Sequence, residues 1–210
     1  EVFNLVLQSG GLLSFSTTEN TRLTVGTVQV HKNARFEIGT LSQPVEAGVK
    51  AVVIFKDRAF DSSFDPAQYG NGLIIFGDLE IHGSPHPSPF VRLADEALAG
   101  DTTLNLELPV SGWRIGDELM LPDTRQTDPR PSRGFVSQSE RVTVTAISGD
   151  GRSISITPIQ HNHRGARNGD NQIEYLPHLG NTSRNVILRS ENPDGVRGHT
   201  QFIGRAHIDI

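Results

Sequence analysis

The sequence lacks three features that many functions require. It contains no cysteine among its 210 residues, which excludes a disulfide framework, thiolate metal sites and a cysteine nucleophile. Its longest strongly apolar runs, Ala51 to Phe55 and Leu73 to Phe76, are far shorter than the roughly 20 residues of a membrane-spanning helix. Positively charged residues are fewer than negatively charged ones: the sequence has 19 Lys and Arg and 24 Asp and Glu, which gives a net charge of −5. We therefore expect neither a membrane span in this segment nor nucleic acid as a partner.

The residues that are present predict short strands rather than helices. The 21 glycines and 12 prolines interrupt the chain often enough to disfavour long helices. Only Val91 to Leu98 carries helical periodicity, and it is either a short helix or an irregular connection. Short apolar or alternating runs bounded by turn residues are typical of strands, and they include Leu5 to Leu7, Leu12 to Phe15, Val28 to Val30, Val142 to Val144 and Ile154 to Ile156.

Internal similarity favours one all-β fold over another. Three pairs of segments are alike, the first pair offset by 21 residues and the last by 22: Val52 to Asp57 with Leu73 to Asp78, Gly26 to His31 with Gly77 to His82, and the strands around Val186 and Ile208. Such a period predicts one coil of a parallel solenoid, in which like side chains stack about 4.8 Å apart. We predict an all-β fold, a parallel β-helix or solenoid with loop excursions, and a β-sandwich is the alternative.

Two segments are predicted to leave the solenoid as loops. Pro122 to Ser137 contains three prolines and many charges, and Asn162 to Pro177 is polar and glycine-rich. Loops that project from a rigid stack are where such folds usually carry function. The single tryptophan, Trp113, lies between apolar residues and is expected in the core, so the exposed aromatic platform that often binds sugars is not evident.

Several motifs in a fixed order carry a resemblance to a known family. They are Leu23-Thr24-Val25, Phe36 to Gly39, Leu79 to Gly83, Leu93, Gly100-Asp101, Trp113 to Glu118, His163-Arg164-Gly165 and Asn181 to Val186. Together they resemble the G8 domain, which is named for its recurring glycines and occurs in extracellular and cell-surface proteins. The stretches Arg197 to Thr200 and Ala206 to Ile210 are similar to the first coil of the right-handed parallel β-helix that commonly follows that domain.

The resemblance implies a domain division, a location and a class of ligand. Residues 1–178 would form a G8-like module whose opening part is missing, and residues 179–210 the first coils of a continuous β-helix in a longer protein. The location would be extracellular or on the cell surface. Relatives in the family include proteins that bind or depolymerise hyaluronan. A polysaccharide, in particular a hyaluronan-like acidic glycan, is thus the implied partner, with binding or glycoside hydrolase-like cleavage as the activity.

The richest polar cluster supplies the catalytic candidates Arg184, Glu191, Asp194 and His199. An arginine can hold a sugar carboxylate, a carboxyl pair can cleave a glycosidic bond, and a histidine can carry a proton near neutral pH. A structural interpretation remains open. Asn-Pro-Asp-Gly is a turn sequence, and Arg184 can serve as a structural ion partner. Of the other acids, Asp117 is expected to close the turn after Gly116.

Metal binding has weaker signals. His161 and His163 are two residues apart, so on a strand both would face one side as a metal pair requires. The alternative is that they are hydrogen-bonding loop histidines. Calcium could use oxygens of Asn168 to Asn171 or Asn192 to Gly195, although neither stretch reproduces an EF-hand loop. We expect no cofactor.

A structural function is the competing class. The chain could be an adhesin, a stalk or a filament subunit without catalytic activity. Open solenoid ends expose strand edges that need a cap, further coils or another copy. Self-association through those ends is the corresponding partner expectation.

Overall fold

The structure is a computed structural model that describes residues 2–59, 61–125, 134–204 and 206–210. The described residues form strands and irregular segments without any helix, which confirms the all-β class. Val91 to Leu98 is the irregular connection rather than the helix: it begins in a strand and continues through isolated bridges at Leu93 and Ala97. In those ranges no helix is long and apolar enough to cross a bilayer.

The chain divides into two compact units. The first, here called the parallel unit, comprises Glu1–Pro85 and Arg184–Ile210, and the second, the antiparallel unit, comprises His86–Ser183. The antiparallel unit is therefore inserted in the sequence of the parallel unit. The predicted domains 1–178 and 179–210 follow the family resemblance and stay a prediction.

The parallel unit is a stack of four layers of strands, and every pairing in it is parallel. Its strands are β1 Val2–Leu7, β2 Leu12–Ser14, β3 Thr21–Val30, β4 Arg35–Ile38, β5 Ala51–Phe55, β6 Gly72–Ile75, β7 Asp78–Ile81, β16 Val186–Ser190, β17 His199–Phe202 and β18 His207–Asp209. The layers are β1–β2, β3–β4, β5–β6–β7 and β16–β17–β18, and each lies in register on the one before. Parallel pairing excludes the sandwich alternative for this unit, while its right-handed winding stays a prediction.

The predicted stacking period is wrong. Val53 pairs with Leu23 on β3, and Leu73 pairs with Val28 on the same strand. Because β5 pairs with the first half of the ten-residue β3 and β6 with the second half, the two strands follow one another within one layer instead of stacking one above the other. The other two similar pairs also fail to stack, since β7 pairs with β4, and Val186 and Ile208 belong to the same layer.

The true offsets between stacked residues vary along the chain. Val25 stacks on Val2, 23 residues earlier, whereas Ile75 stacks on Val30, 45 residues earlier. Most of the difference arises because residues 56–71 are inserted between β5 and β6: the offset is 30 residues at Phe55, which stacks on Val25 (55 − 25), and 45 at Ile75. Short apolar strands resemble one another wherever they lie in a coil, so similarity alone did not identify the stacked pairs.

Alternation along each strand builds the core of the parallel unit. On β4, Phe36 and Ile38 are buried, while Arg35 and Glu37 point away from them. Register then stacks Phe36 on Leu13 and Leu79 on Phe36. The result is a continuous apolar column in a core that also contains Val25, Val53, Leu73 and Ile75.

The antiparallel unit has a different pairing and its own core. Its strands are β8 Phe90–Arg92, β9 Thr103–Asn105, β10 Glu118–Leu121, β11 Glu140–Ile147, β12 Ser153–Ile156, β13 Ala166–Arg167, β14 Ile173–Tyr175 and β15 His178–Asn181. Six of them form one antiparallel sheet in the order β8-β15-β10-β11-β12-β9. A single parallel solenoid through the whole chain is therefore wrong. Trp113 is buried in this core, as expected.

The two predicted excursions both belong to this unit. Asn162 to Pro177 contains the short β13–β14 hairpin. Pro122 to Ser137 follows β10, and its residues 126–133 lie outside the described part of the chain. Asp117 closes the turn after Gly116 as predicted, because its Oδ2 accepts a hydrogen bond of 2.9 Å from the backbone N of Arg114.

The register of β17 on β6, which places the fourth layer on the third, can be tested at Gly72. Gly72 has φ +131° and its Cα faces the backbone of His199, so an added Cβ would collide with that strand. We expect Gly72→Ala to lower the free energy of unfolding by about 2 kcal/mol or more. Gly48→Ala, where a Cβ meets no atom within 4 Å, is the control and should be nearly neutral. Equal denaturation midpoints for the two variants would contradict the register.

Candidate functional site

The structure separates the predicted catalytic residues along the fourth layer. Arg184 precedes β16 and Glu191 follows it, so six residues of largely extended chain lie between them. At about 3.3 Å per residue this places them roughly 20 Å apart. Arg184 is therefore not brought to Glu191, and a single sugar ring cannot touch both.

The segment after β16 is a turn organised by Asp57. The carboxylate of Asp57 accepts hydrogen bonds from Asn192 Nδ2 at 2.8 Å and from the backbone N of Val196 at 2.7 Å. Both bonds lower the pKa of Asp57, and the bond from Asn192 has the larger effect. Glu191 Oε2 in turn accepts the backbone N of Asp57 at 3.1 Å. The contacts agree with the structural interpretation of the Asn-Pro-Asp-Gly sequence.

Asp194 and His199 extend the same layer at its surface. Asp194 is exposed, and its backbone N donates to Asn192 Oδ1 at 3.0 Å, which uses the oxygen considered for calcium. His199 is exposed at the start of β17. Catalytic roles for Arg184, Glu191, Asp194 and His199 stay predictions.

A buried histidine–carboxylate pair anchors a loop of the antiparallel unit. His163 is fully buried, with Nε2 2.8 Å from Glu140 Oε1 and Nδ1 2.8 Å from the carbonyl oxygen of Pro122. A carbonyl oxygen and an ionised carboxylate are both acceptors. His163 therefore faces a hydrogen-bond acceptor at each ring nitrogen, and one of the two is the carboxylate of Glu140.

Glu140 also holds the backbone of the same loop. Its carboxylate accepts the backbone N of Gln160 at 2.8 Å and of His161 at 3.0 Å. Burial by itself raises the pKa of Glu140, but the bonds from His163, Gln160 and His161 outweigh it and hold that pKa below its ordinary value. The loop from Ile159 to Gly165 is thus fixed by one ionised carboxylate.

The predicted metal pair occupies this loop. Both ring nitrogens of His163 already have partners, so metal binding there would break one of two buried hydrogen bonds. This arrangement agrees with the alternative of hydrogen-bonding loop histidines, and a metal role for His161 and His163 stays a prediction. Asn168 likewise uses Oδ1 to accept the backbone N of Asp170 and Gln172 in a turn. Among the described ranges, the one group of three metal-type ligands is Glu80, His82 and Asp209.

Above the anchored loop lies a polar cleft of about 360 Å³, which we call the loop cleft. No Asp or Glu belongs to its described lining. Its polar lining residues are Thr124, Arg125, Gln138, Gln160, His161, Asn162 and Arg164. The cleft therefore presents guanidinium, imidazole and carboxamide groups on a protein whose net charge is −5.

Acidic side chains hold the arginines of the loop cleft in place. Asp123 binds Arg125 bidentately, with Nε–Oδ1 at 3.0 Å and Nη2–Oδ2 at 2.7 Å, and this pairing holds the pKa of Asp123 well below its usual range. Glu96 accepts two bonds of 2.9 Å from Arg167 and lies 3.6 Å from Arg164. Because Glu96 is engaged mainly by Arg167, the Arg164 side chain stays 57% exposed.

Sequence reasoning missed the loop cleft as a site, although a signal for it was present. The two predicted excursions both contribute to it, the first through Arg125 and the second through Asn162 and Arg164. Loops were expected to carry function, but nothing in the order of residues shows that these two meet. The Glu140–His163 pair that brings the second loop to the end of β10 joins residues 23 positions apart.

Comparison with known proteins identifies the first part of the chain. Residues 1–94 match the profile of the G8 domain, so the strands β1 to β8 carry a G8 domain. This confirms the family resemblance for that segment.

Relatives match nearly the whole chain but exceed it greatly in length. Mouse and human fibrocystin-L are 25% and 26% identical over 197 residues, which is 91% of this chain and 4% of each relative. A G8 domain-containing protein of Dictyostelium discoideum is 23% identical over 196 residues, which is 87% of this chain and 16% of that protein. The chain thus spans a small part of the relatives that it matches.

The chain is also similar to a solved structure. It is the Gp54 tailspike of Acinetobacter baumannii bacteriophage AP22 in complex with A. baumannii capsular saccharide, at 16% sequence identity and a TM-score of 0.34. The match covers 86% of this chain and 24% of the tailspike chain. At this TM-score the likeness carries no argument about fold or ligand.

The buried pair predicts a specific pH dependence. The folded pKa of Glu140 lies below the ordinary 4.5, so its stabilisation is complete above the ordinary pKa and is lost as the pH falls through the folded pKa. We expect Glu140→Gln to lower the free energy of unfolding by about 2 to 4 kcal/mol at pH 7, because it removes the ionised carboxylate that His163 and two backbone N–H groups contact. We also expect the variant to lose less stability than the wild type between pH 7 and pH 3.

Chemical denaturation at pH 7 and at pH 3 measures the free energy of unfolding of the wild type and the variant. Glu118→Gln is the control, because Glu118 pairs with Arg141 on the exposed surface of the neighbouring strand and should contribute little. A Glu140→Gln variant as stable as the control at pH 7 would show that the pair does not anchor the loop.

Proposed function

We propose that this chain is an extracellular, G8-containing segment that binds an acidic polysaccharide of the hyaluronan type in the loop cleft. The observation that carries the proposal is the charge of that cleft: two guanidinium groups and an imidazole line it without a carboxylate in its described lining. A uronate carboxylate placed there would meet the exposed guanidinium of Arg164 and no carboxylate of the described lining. The G8 domain over residues 1–94 supports the extracellular assignment.

The chemistry of the lining fits a carboxylated sugar chain. Arg164 is the exposed guanidinium and can bind a uronate carboxylate with two parallel hydrogen bonds. The carboxamides of Gln138, Gln160 and Asn162 can donate to and accept from sugar hydroxyls. No Phe, Tyr or Trp ring belongs to the described lining, so recognition would depend on hydrogen bonds and charge and would weaken with salt.

The four parallel layers supply the scaffold in this proposal. We infer that they wind as a right-handed β-helix and that further coils of a longer protein continue the fourth layer. Support comes from the unbroken parallel register of β7 with β18, β6 with β17 and β5 with β16.

Binding to hyaluronan oligosaccharides tests the function directly. We expect Arg164→Ala to weaken binding at least about tenfold, since it removes a charge-assisted contact worth about 1.5 to 3 kcal/mol. Arg114→Ala, which removes an exposed arginine outside the cleft, is the matched control and should bind as the wild type does. Isothermal titration calorimetry at two salt concentrations gives the affinities.

The ligand itself provides the second control. Hyaluronan whose carboxylates have been reduced to alcohols should bind at least tenfold more weakly than native hyaluronan. Equal affinity for both polymers, or equal losses in Arg164→Ala and Arg114→Ala, would overturn the assignment of the cleft.

Cleavage is a separate matter from binding. We expect this chain to bind hyaluronan without shortening it, because Arg184 and Glu191 lie at opposite ends of β16 and cannot grip one sugar together. Size-exclusion analysis of the polymer after incubation measures the chain length. Shortening that disappears in Glu191→Gln or Asp194→Asn would instead establish the hydrolytic assignment of those carboxyls.

A structural function is the second candidate, and the exposed phenyl ring of Phe202 on β17 favours it. Within the described ranges, β16, β17 and β18 pair only with the third layer, and Phe202 on β17 is 45% exposed. We expect concentration-dependent association in sedimentation velocity, weakened by Phe202→Lys because a lysine protects a strand edge. Leu108→Lys, at an exposed residue of the antiparallel unit, should leave association unchanged. A monomer at all concentrations would exclude this function.

A further inference from the structure

A column of polar side chains runs down the outer face of the parallel unit. Ser14, Glu37, Glu80 and Asp209 occupy directly paired positions on β2, β4, β7 and β18. Neighbouring strands lie about 4.8 Å apart, so the register places three carboxylates in one line. Like charges at directly opposite positions destabilise a sheet, and the column therefore needs compensation.

The upper part of the column is compensated by protein groups. Arg35 Nη1 lies 3.7 Å from Glu37 Oε2 and 3.6 Å from Glu80 Oε2. The hydroxyl of Ser14 donates to Glu37 Oε1 at 2.9 Å. Both oxygens of Glu37 and one oxygen of Glu80 are thus accounted for.

The lower part of the column is different. Between Glu80 and Asp209 lies His82, whose Nε2 is 4.0 Å from Glu80 Oε1 and 3.3 Å from Asp209 Oδ1. That nitrogen is buried and has no hydrogen-bond partner, although the side chain as a whole is 12% exposed. No lysine or arginine in the described ranges forms an ion pair with Asp209.

We propose that Glu80, His82 and Asp209 form a binding site for a divalent transition-metal ion of the Zn²⁺ class. The ligand atoms would be Glu80 Oε1, His82 Nε2 and Asp209 Oδ1, which lie within 4.8 Å of one another. A tetrahedral ion with bonds of about 2.1 Å needs ligand atoms about 3.4 Å apart, which is close to the 3.3 Å between His82 and Asp209. Closing the 4.0 Å gap to Glu80 requires only a small side-chain movement.

The donor set selects the class of ion. One imidazole with two carboxylates suits Zn²⁺ and its neighbours, whereas Ca²⁺ takes six to eight oxygen ligands and no nitrogen. Arg35 binds the far oxygen of Glu80 and leaves Oε1 directed to the site, as the outer partners of metal ligands do. Three protein ligands leave a fourth position for water.

Such an ion would join layers that are distant in sequence. Glu80 and His82 belong to the end of the third layer, and Asp209 lies on β18, which follows the inserted antiparallel unit. A metal bound to the folded chain stabilises it in proportion to the logarithm of the metal concentration over the dissociation constant. The site would therefore fasten the fourth layer to the third.

Titration of the intact chain with Zn²⁺ after chelator treatment tests the proposal. We expect one ion per chain, and at least a tenfold loss of affinity in both Asp209→Asn and His82→Gln. Asp209 is 48% exposed, so its variant should fold, which circular dichroism verifies. His207→Ala is the matched control, because it removes an exposed histidine of the same strand that is not in the cluster.

Two further measurements complete the test. Zn²⁺ should raise the melting temperature of the wild type and of His207→Ala but not of Asp209→Asn. Co²⁺ should give visible absorption bands that disappear in His82→Gln. Equal Zn²⁺ affinity in all four proteins, binding in the millimolar range only, or a preference for Ca²⁺ over Zn²⁺ would overturn the proposal.

Discussion

Parallel hydrogen bonding to one long strand determines most of what this molecule can present at its surface. The ten residues of β3 pair with β1 on one side and with both β5 and β6 on the other. That arrangement fixes which residues of the third layer face the core. Because side chains alternate along a strand, it also fixes which residues form columns outside. The carboxylates of Glu37, Glu80 and Asp209 are aligned by the parallel register of β4, β7 and β18 and not by their own chemistry.

In the antiparallel unit, surface side chains are positioned by an antiparallel sheet and by the contacts of one carboxylate, that of Glu140. Its sheet and core hold β10 beside β11, and the ionised Glu140 at the start of β11 then fixes the loop that follows β12. The carboxylate of Asp123 binds Arg125, and that of Glu96 binds Arg167 and lies near Arg164. The exposed face of the loop cleft therefore presents guanidinium N–H donors. Partly buried acids thus hold a cleft in which donor groups are exposed, in a protein that is acidic overall.

The sequence was informative where local chemistry dominates. Alternation and turn residues correctly predicted an all-β protein, the buried Trp113 and the turn closed by Asp117. It was misleading where partners are distant. The segment from Val52 to Asp57 is similar to the segment from Leu73 to Asp78 because both contain a strand of the same layer, and not because they belong to successive coils. Neither the antiparallel pairing of residues 86–183 nor the meeting of two loops in one cleft could be predicted, because both depend on contacts between distant residues.

By itself, then, the sequence determined the class of secondary structure, the exclusion of thiol chemistry and the motifs of the G8 domain, since each of these resides in a few adjacent residues. Only the tertiary structure decided the register, and with it which charged side chains lie together. It separated Arg184 from Glu191 and brought Asp209 beside His82, across a sequence gap of 127 residues (82 to 209). The physical reason is that backbone hydrogen bonds between strands are the same for every sequence. The choice of partner therefore depends on how all strands bury their apolar faces at once.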